Sequence, residues 1–162
     1  ENFLNIFIKK SKINNVPIHF EFLLSNQNII PIDIAVRGAG FDVYSGILSK
    51  IMEQSTNDIQ IKLIMNKDIH FNKPNKKVFF LSFFYSKKNG YFKGISNYSK
   101  LLSLKSFLEI KLYKKINSKI QSLKNGSDRI GHFLLEGHKK IINKDIIFSK
   151  KFIKTEVVNE RI

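Results

Sequence analysis

The chain has 162 residues, 43% of them apolar, which is enough for a packed core and excludes wholesale disorder. Its 28 basic and 13 acidic residues give a net charge of +15, which points to a polyanionic partner. It has no cysteine, so disulfides, thiolate metal sites and thiol nucleophiles are excluded, and no apolar run is long enough to span a bilayer.

The opening ENFLNIFIKKSK places its charges after a short apolar run, the reverse of a signal peptide. The start at Glu1 rather than Met leads us to expect processing or a boundary there. Residues 16–24 alternate: Ile18, Phe20, Phe22 and Leu24 share one face, and His19 and Glu21 the other, as in a half-buried strand. SNQN at 25–28 reads as a turn, and IIPIDIAV at 29–36 as the returning strand of a hairpin, with Pro31 suited to an edge or strand start. RGAGFD at 37–42 is a glycine turn in which Asp42 can cap the following helix. Val43, Ile47 and Ile51 give that helix an apolar stripe to about Gln54. NDIQIKLIM (57–65) alternates like another strand.

A polar connector, 66–77, follows, and there the charge balance changes. Up to Asn75 there are 8 basic and 7 acidic residues; from Lys76 on there are 20 and 6. Two parts are therefore expected: a near-neutral α/β unit, 1–76, and a strongly basic, mostly helical extension, 77–162. VFFLSFFY (78–85) is apolar on both faces, as in a central strand, and Lys88-Asn89-Gly90 is a turn. Residues 97–124 mix apolar pairs with lysines and fit one or two helices, with a strand at 108–113 as the alternative. Ser127 can cap a helix over 128–142 with Ile130, Phe133, Leu134 and Ile141 inward. Residues 145–153 read as a short strand or extended arm, and 154–162 as a tail. The fold class expected is α/β (α+β): a small mixed sheet built as hairpin, glycine turn, helix and strand, then the basic helical extension.

Arg37-Gly38-Ala39-Gly40, between a strand and a helix, is either a purely structural turn or a phosphate contact using backbone N–H groups and Arg37. The stretch IDIAVRGAGFDVYSGIL, with IQIKLI and NKDIHFNKPNKK after it, resembles the small-subunit ribosomal protein eleven family. That family has a strand ending in a basic residue, a glycine loop, a helix, a strand and a basic tail. The resemblance covers residues 32–78, with Asn72, Pro74, Lys76 and Lys77 near the tail positions. It implies a structural protein of an organellar (mitochondrial) ribosome, or of the cytoplasm of an AT-rich bacterium or endosymbiont. It also implies that Arg37, Gly38, Gly40, Lys76 and Lys77 contact ribosomal RNA.

The lysine array adds candidates. Lys87, Lys88, Lys93, Lys100, Lys105, Lys111, Lys114, Lys115, Lys119 and Lys124 alternate with aromatic and aliphatic residues. Of these, Lys87, Lys88, Lys93, Lys114 and Lys115, with Arg129, Lys139 and Lys140, are expected on RNA phosphates. Tyr85, Tyr91, Phe92 and Tyr98 can stack on unpaired bases, although core or rim packing is the simpler role. His132, Glu136 and His138 do not share a helical face, so no zinc triad is expected. The expected function is a structural RNA-binding protein, not an enzyme. Its partners would be ribosomal RNA and neighbouring ribosomal proteins, with no cofactor, metal or small-molecule substrate. The alternatives are a Mg-dependent nuclease, with Asp33, Asp58 and Lys62 on adjacent strands and Gln60 where an acid is usual, and a basic scaffold or peripheral membrane protein.

Overall fold

The structure is a computed structural model that describes residues 3–25 and 28–159. The chain forms two compact units, Glu1–Asn75 and Lys76–Ile162. It is mixed α+β, with small antiparallel sheets and helices among them.

In the first unit, helix α1 (Phe3–Ser11) precedes the hairpin of β1 (His19–Ser25) and β2 (Asn28–Ala35). Ser25 pairs with Asn28 at the hairpin end; the turn expected at 25–28 includes residues 26 and 27, which lie outside the described residues. Phe20 meets Phe3 and Phe7 edge-on at 5.5 and 5.9 Å. Alternation then fixes the faces: Phe20 and its partner Ile34 point to α1, and His19, Glu21 and Asp33 point away from it.

After β2 and the glycine turn, a π-helical segment (Val43–Leu48) runs directly into α2 (Ser49–Met52). The following segment is a helix, α3 (Thr56–Ile64), where alternation had suggested a strand. Ser55 caps it by accepting from the Asp58 backbone N–H at 3.1 Å, and Thr56 and Ile59 form its buried face. Ile61, Ile64 and Met65, three of the five apolar residues in 57–65, are exposed. Thr56 locks the two helices together: its N–H donates to Ser49 Oγ at 3.0 Å, its Oγ1 donates to the Tyr44 carbonyl at 2.9 Å, and the Tyr44 hydroxyl donates to its carbonyl at 3.1 Å. Burial raises the Tyr44 pKa above its usual 10.0. Asn72 and Asn75 donate to the Glu53 and Lys50 carbonyls at 3.1 and 2.8 Å, stitching the connector to the end of α2.

The second unit holds most of the core. β3 (Val78–Phe84), β7 (Gly131–Gly137) and β5 (Phe107–Leu112) form one antiparallel sheet in the order β3-β7-β5. β6 (Lys119–Ile120), β4 (Gly90–Ile95) and β8 (Thr155–Val158) form another in the order β6-β4-β8. Helix α4 (Tyr98–Leu102) follows β4, and α5 (Lys139–Phe152) lies between β7 and β8. Phe84, Phe92, Leu101, Ile130, Phe133, Leu135, Ile142 and Ile153 make one buried cluster.

Within the helix expected at 128–142, Gly131–Gly137 form strand β7 instead, with Gly131 to Leu135 all buried, and only residues 139–142 are helical, as the start of α5. A strand covered on both faces loses the polar half of its alternation and reads as a plain apolar run. Gly131 permits the close strand approach: a Cβ there would fall 2.3 Å from the Lys111 carbonyl oxygen. The arm expected at 145–153 is helical, with Ile142, Ile146, Ser149 and Ile153 at helical spacing toward the core. The start of the expected tail, Thr155–Val158, is a strand paired with β4. Residues 77–162 thus form sheets carrying two helices, where a mostly helical extension was expected.

Candidate active site

The β1–β2 register puts two acids opposite each other: Glu21 pairs with Asp33, flanked by His19 opposite Ala35 and by Phe20 opposite Ile34. Cross-strand partners hold their Cβ atoms about 4.5–5.5 Å apart, and like charges placed this way cost stability. Immediately after Glu21 the register shifts, because Phe22 pairs with Pro31 and Ile32 is left as the extra residue on β2. Such a bulge bends the strand and re-aims its side chains, and bulges cluster beside functional sites. Both carboxylates are exposed. His19 Nε2 lies 3.7 Å from Glu21 Oε1, and its Nδ1 is buried with no hydrogen-bond partner among the described residues.

Arg37 stands just beyond β2. Its N–H donates to the Ala35 carbonyl at 2.9 Å, and one guanidinium nitrogen, Nη1, donates to the Gly38 carbonyl at 2.9 Å. These two bonds fix the start of the turn while the side chain stays exposed. Gly38 is required by Tyr44, whose ring would lie 2.5 Å from an added Cβ; a Cβ at Gly40 would meet nothing within 4 Å. Asp42 sits at the helix start in a left-handed conformation (φ 62°) and makes no capping bond to the backbone; its Oδ1 accepts from Ser45 Oγ at 2.7 Å. The hairpin and turn therefore present two carboxylates, an imidazole and a guanidinium along one short stretch of chain.

Lys76, Lys77, Lys87, Lys88, Lys115, Lys139 and Lys140 are exposed, and Lys93 and Lys114 are partly buried. Lys77 pairs with Glu136. The Arg129 guanidinium lies 4.0 Å over the Phe83 ring, which makes packing its observed contact. Lys139 and Lys140 open helix α5. Phe92, a candidate for base stacking, is wholly buried in the core. His132 is 1% exposed, hydrogen-bonded through Nδ1 to the Tyr113 hydroxyl and 3.8 Å from Glu109 through Nε2; His138 is the N-cap residue of α5.

The nuclease alternative required Asp33, Asp58 and Lys62 on neighbouring strands. Asp58, Gln60 and Lys62 lie on helix α3, so that strand pair does not exist. No helix among the described residues is long and apolar enough to cross a membrane.

Glu21 is the residue that the sequence reading left out. Its signal was an acid at the middle of each strand of a hairpin, but their pairing depends on the turn length and the bulge at Ile32, which fix the register.

No family model and no curated protein matches this sequence. Solved structures do match the fold. A phosphoribosylglycinamide synthetase from Anaerococcus prevotii superposes with TM-score 0.70 at 17% identity, covering 93% of this chain and 39% of its own. An L-amino acid ligase from Bacillus licheniformis gives 0.70 at 13%, covering 88% and 36%. An N5-carboxyaminoimidazole ribonucleotide synthetase from Thermotoga maritima gives 0.66 at 16%, covering 97% and 41%.

The fold shared with this ligase and these two synthetases overturns the ribosomal resemblance, which reached only residues 32–78 and needed a strand where α3 stands. With it go the expectations of a mitochondrial ribosomal component, of ribosomal RNA and ribosomal proteins as partners, of a non-enzyme and of no small-molecule substrate. The fold is the one these ligases and synthetases share, and the chain spans about two fifths of their length.

Proposed function

We propose that this chain is part of an ATP-dependent ligase, in which Glu21 and Asp33 hold the magnesium ion of Mg–ATP and Arg37 faces its phosphates. The supporting observation is the Glu21–Asp33 pair on the open face of the hairpin, in a fold shared with three ligases and synthetases. The donor set fits the ion. Magnesium takes hard oxygen ligands and is commonly held by one or two carboxylates together with phosphate oxygens.

Bound there, magnesium supplies charge neutralisation on the phosphate oxygens of the nucleotide. The chain's own residues do the rest. The paired strands place the two carboxylates on directly opposite residues, within reach of one ion. His19 Nε2 stands 3.7 Å from Glu21 Oε1, beside the carboxylate pair. Arg37, anchored through Gly38, offers its remaining N–H groups in the planar fork that suits phosphate. The open space beside Gly40 leaves room for a ligand to approach the turn.

Isothermal titration of the full chain with ATP, with and without Mg²⁺, tests this reading. Binding is expected only with the metal, and Glu21→Gln and Asp33→Asn should each weaken it tenfold or more while circular dichroism stays unchanged. Metal-independent binding, or full affinity in both variants, overturns it.

A further inference from the structure

A cleft of about 600 Å³ lies wholly within the second unit, between β3, the β3–β4 turn, the end of α5 and β8. That volume is in the range of small-molecule sites. Phe84, Phe133, Ile153 and Val157 give it apolar walls, and Ser82 and Thr155 supply hydroxyls. Lys87, Lys88, Lys150 and Lys154 line it, and no carboxylate among the described residues does.

Two of these lysines have a structural role. Lys154 Nζ donates to the Lys150 carbonyl, and Lys150 lies in the last turn of α5, where cations complement the helix dipole. The Lys150 ammonium also sits 5.6 Å over the Phe80 ring. Lys87 and Lys88 have no such role. They project from a turn that is held rigidly: Ser86 Oγ accepts from the Lys88 N–H at 3.1 Å and donates to the Lys88 carbonyl at 2.6 Å, Asn89 Oδ1 accepts from the Ser122 N–H at 2.9 Å, and the Ser86 carbonyl accepts from Leu123 at 2.9 Å. Lys87 and Lys88 are consecutive and both line the cleft, so its rim carries two like charges that a bound anion can neutralise.

We infer that this cleft binds a small organic anion with an aromatic or branched apolar body, seated on Phe84 and Phe133, with its carboxylate or phosphate on Lys87 and Lys88. The cleft belongs to the second unit and the Glu21–Asp33 pair to the first, and this inference does not depend on that pair. The body contributes by burying apolar surface, and the lysines contribute the selectivity for charge.

The test titrates the full chain with phenylacetate, phenyl phosphate and benzyl alcohol, following chemical shifts of β3 and β8. Both anions are expected to bind, more weakly at 200 mM than at 50 mM salt, roughly in line with screening of exposed charge. Benzyl alcohol should bind at least tenfold more weakly, and the stronger of the two anions identifies the acid group. Lys87→Ala/Lys88→Ala should weaken anion binding tenfold or more yet leave Mg–ATP binding intact; Asp33→Asn should do the reverse. Equal affinity for benzyl alcohol, unchanged anion binding in the double lysine variant, or no binding of either anion overturns the inference.

Discussion

Glu21 and Asp33 are like charges on directly opposite residues, so in metal-free buffer each is a burden on the hairpin that carries it. Removing one of two like charges placed cross-strand recovers about 0.2–1 kcal/mol. Asp33→Asn should therefore melt at the same temperature as the parent or slightly above it in metal-free buffer, and lose the further rise that Mg–ATP gives the parent. A clear drop in metal-free melting temperature would assign Asp33 a structural role.

Two ionisable groups make pH predictions of opposite sign. The Tyr44 hydroxyl is raised by burial, so the folded state favours its neutral form: the contribution is full below pH 10.0 and is lost as pH rises through the raised value. Chemical denaturation across pH 9 to 12 should show this loss in the parent and not in Tyr44→Phe, which starts about 1 kcal/mol less stable for want of its bond to Thr56. Asp128 is lowered, first by the Lys124 and Asn125 backbone N–H groups that donate to it at 2.9 and 3.0 Å. Its contribution is full above pH 3.8 and disappears as pH falls through the lowered value. Exchange of the Lys124 and Asn125 amides should speed up over that range, and Asp128→Asn should exchange fast at every pH.

At the scale of elements, the two antiparallel systems differ in how much surrounds them. β7 is central and buried on both faces, whereas β1–β2 is a two-stranded hairpin on which Leu23, Leu24 and Ile32 are 58, 72 and 60% exposed. Two strands alone are marginal, and local opening follows sparse burial. Amide exchange should be at least tenfold faster in β1 and β2 than in β7. Phe133→Ala, which removes a ring packed 5.4 Å from that of Phe84, should cost the second unit about 3–5 kcal/mol by denaturant unfolding.

The same contrast explains which elements could be read from the sequence. The hairpin was legible because one face of β1 carries His19 and Glu21 and the other carries Phe20. The helical segment after the glycine turn was legible because Val43, Ile47 and Ile51 recur at helical spacing. β7 was not, since burial on both faces erased its period. In α3 the alternation of Ile59, Ile61 and Leu63 pointed to a strand, while the Ser55 cap, which decides for a helix, is a single residue. In α5 the spacing of Ile142, Ile146 and Ile153 was present, but lysines between them broke it into short runs.

Across the whole molecule, charge divides sharply between the two units, a division that by itself suggests nucleic acid. The structure distributes those lysines among sheet edges, a helix dipole, an ion pair with Glu136 and a cleft rim. Excess charge identifies an affinity for anions but does not choose between a polymer and a small molecule. The candidate site shows the same limit. Asp33 and Arg37 stood out as residues, but the carboxylate pair exists only once the strands are in register.

The central claim is that Mg–ATP sits on the hairpin at Glu21 and Asp33. Its most direct measurement replaces Mg²⁺ with paramagnetic Mn²⁺ and maps the broadening of backbone amide signals on adding Mn–ATP to the full chain. The account predicts that Glu21, Asp33 and Arg37 broaden first, and that Glu21→Gln combined with Asp33→Asn abolishes the effect. Broadening centred elsewhere, or undiminished in the double variant, would contradict it.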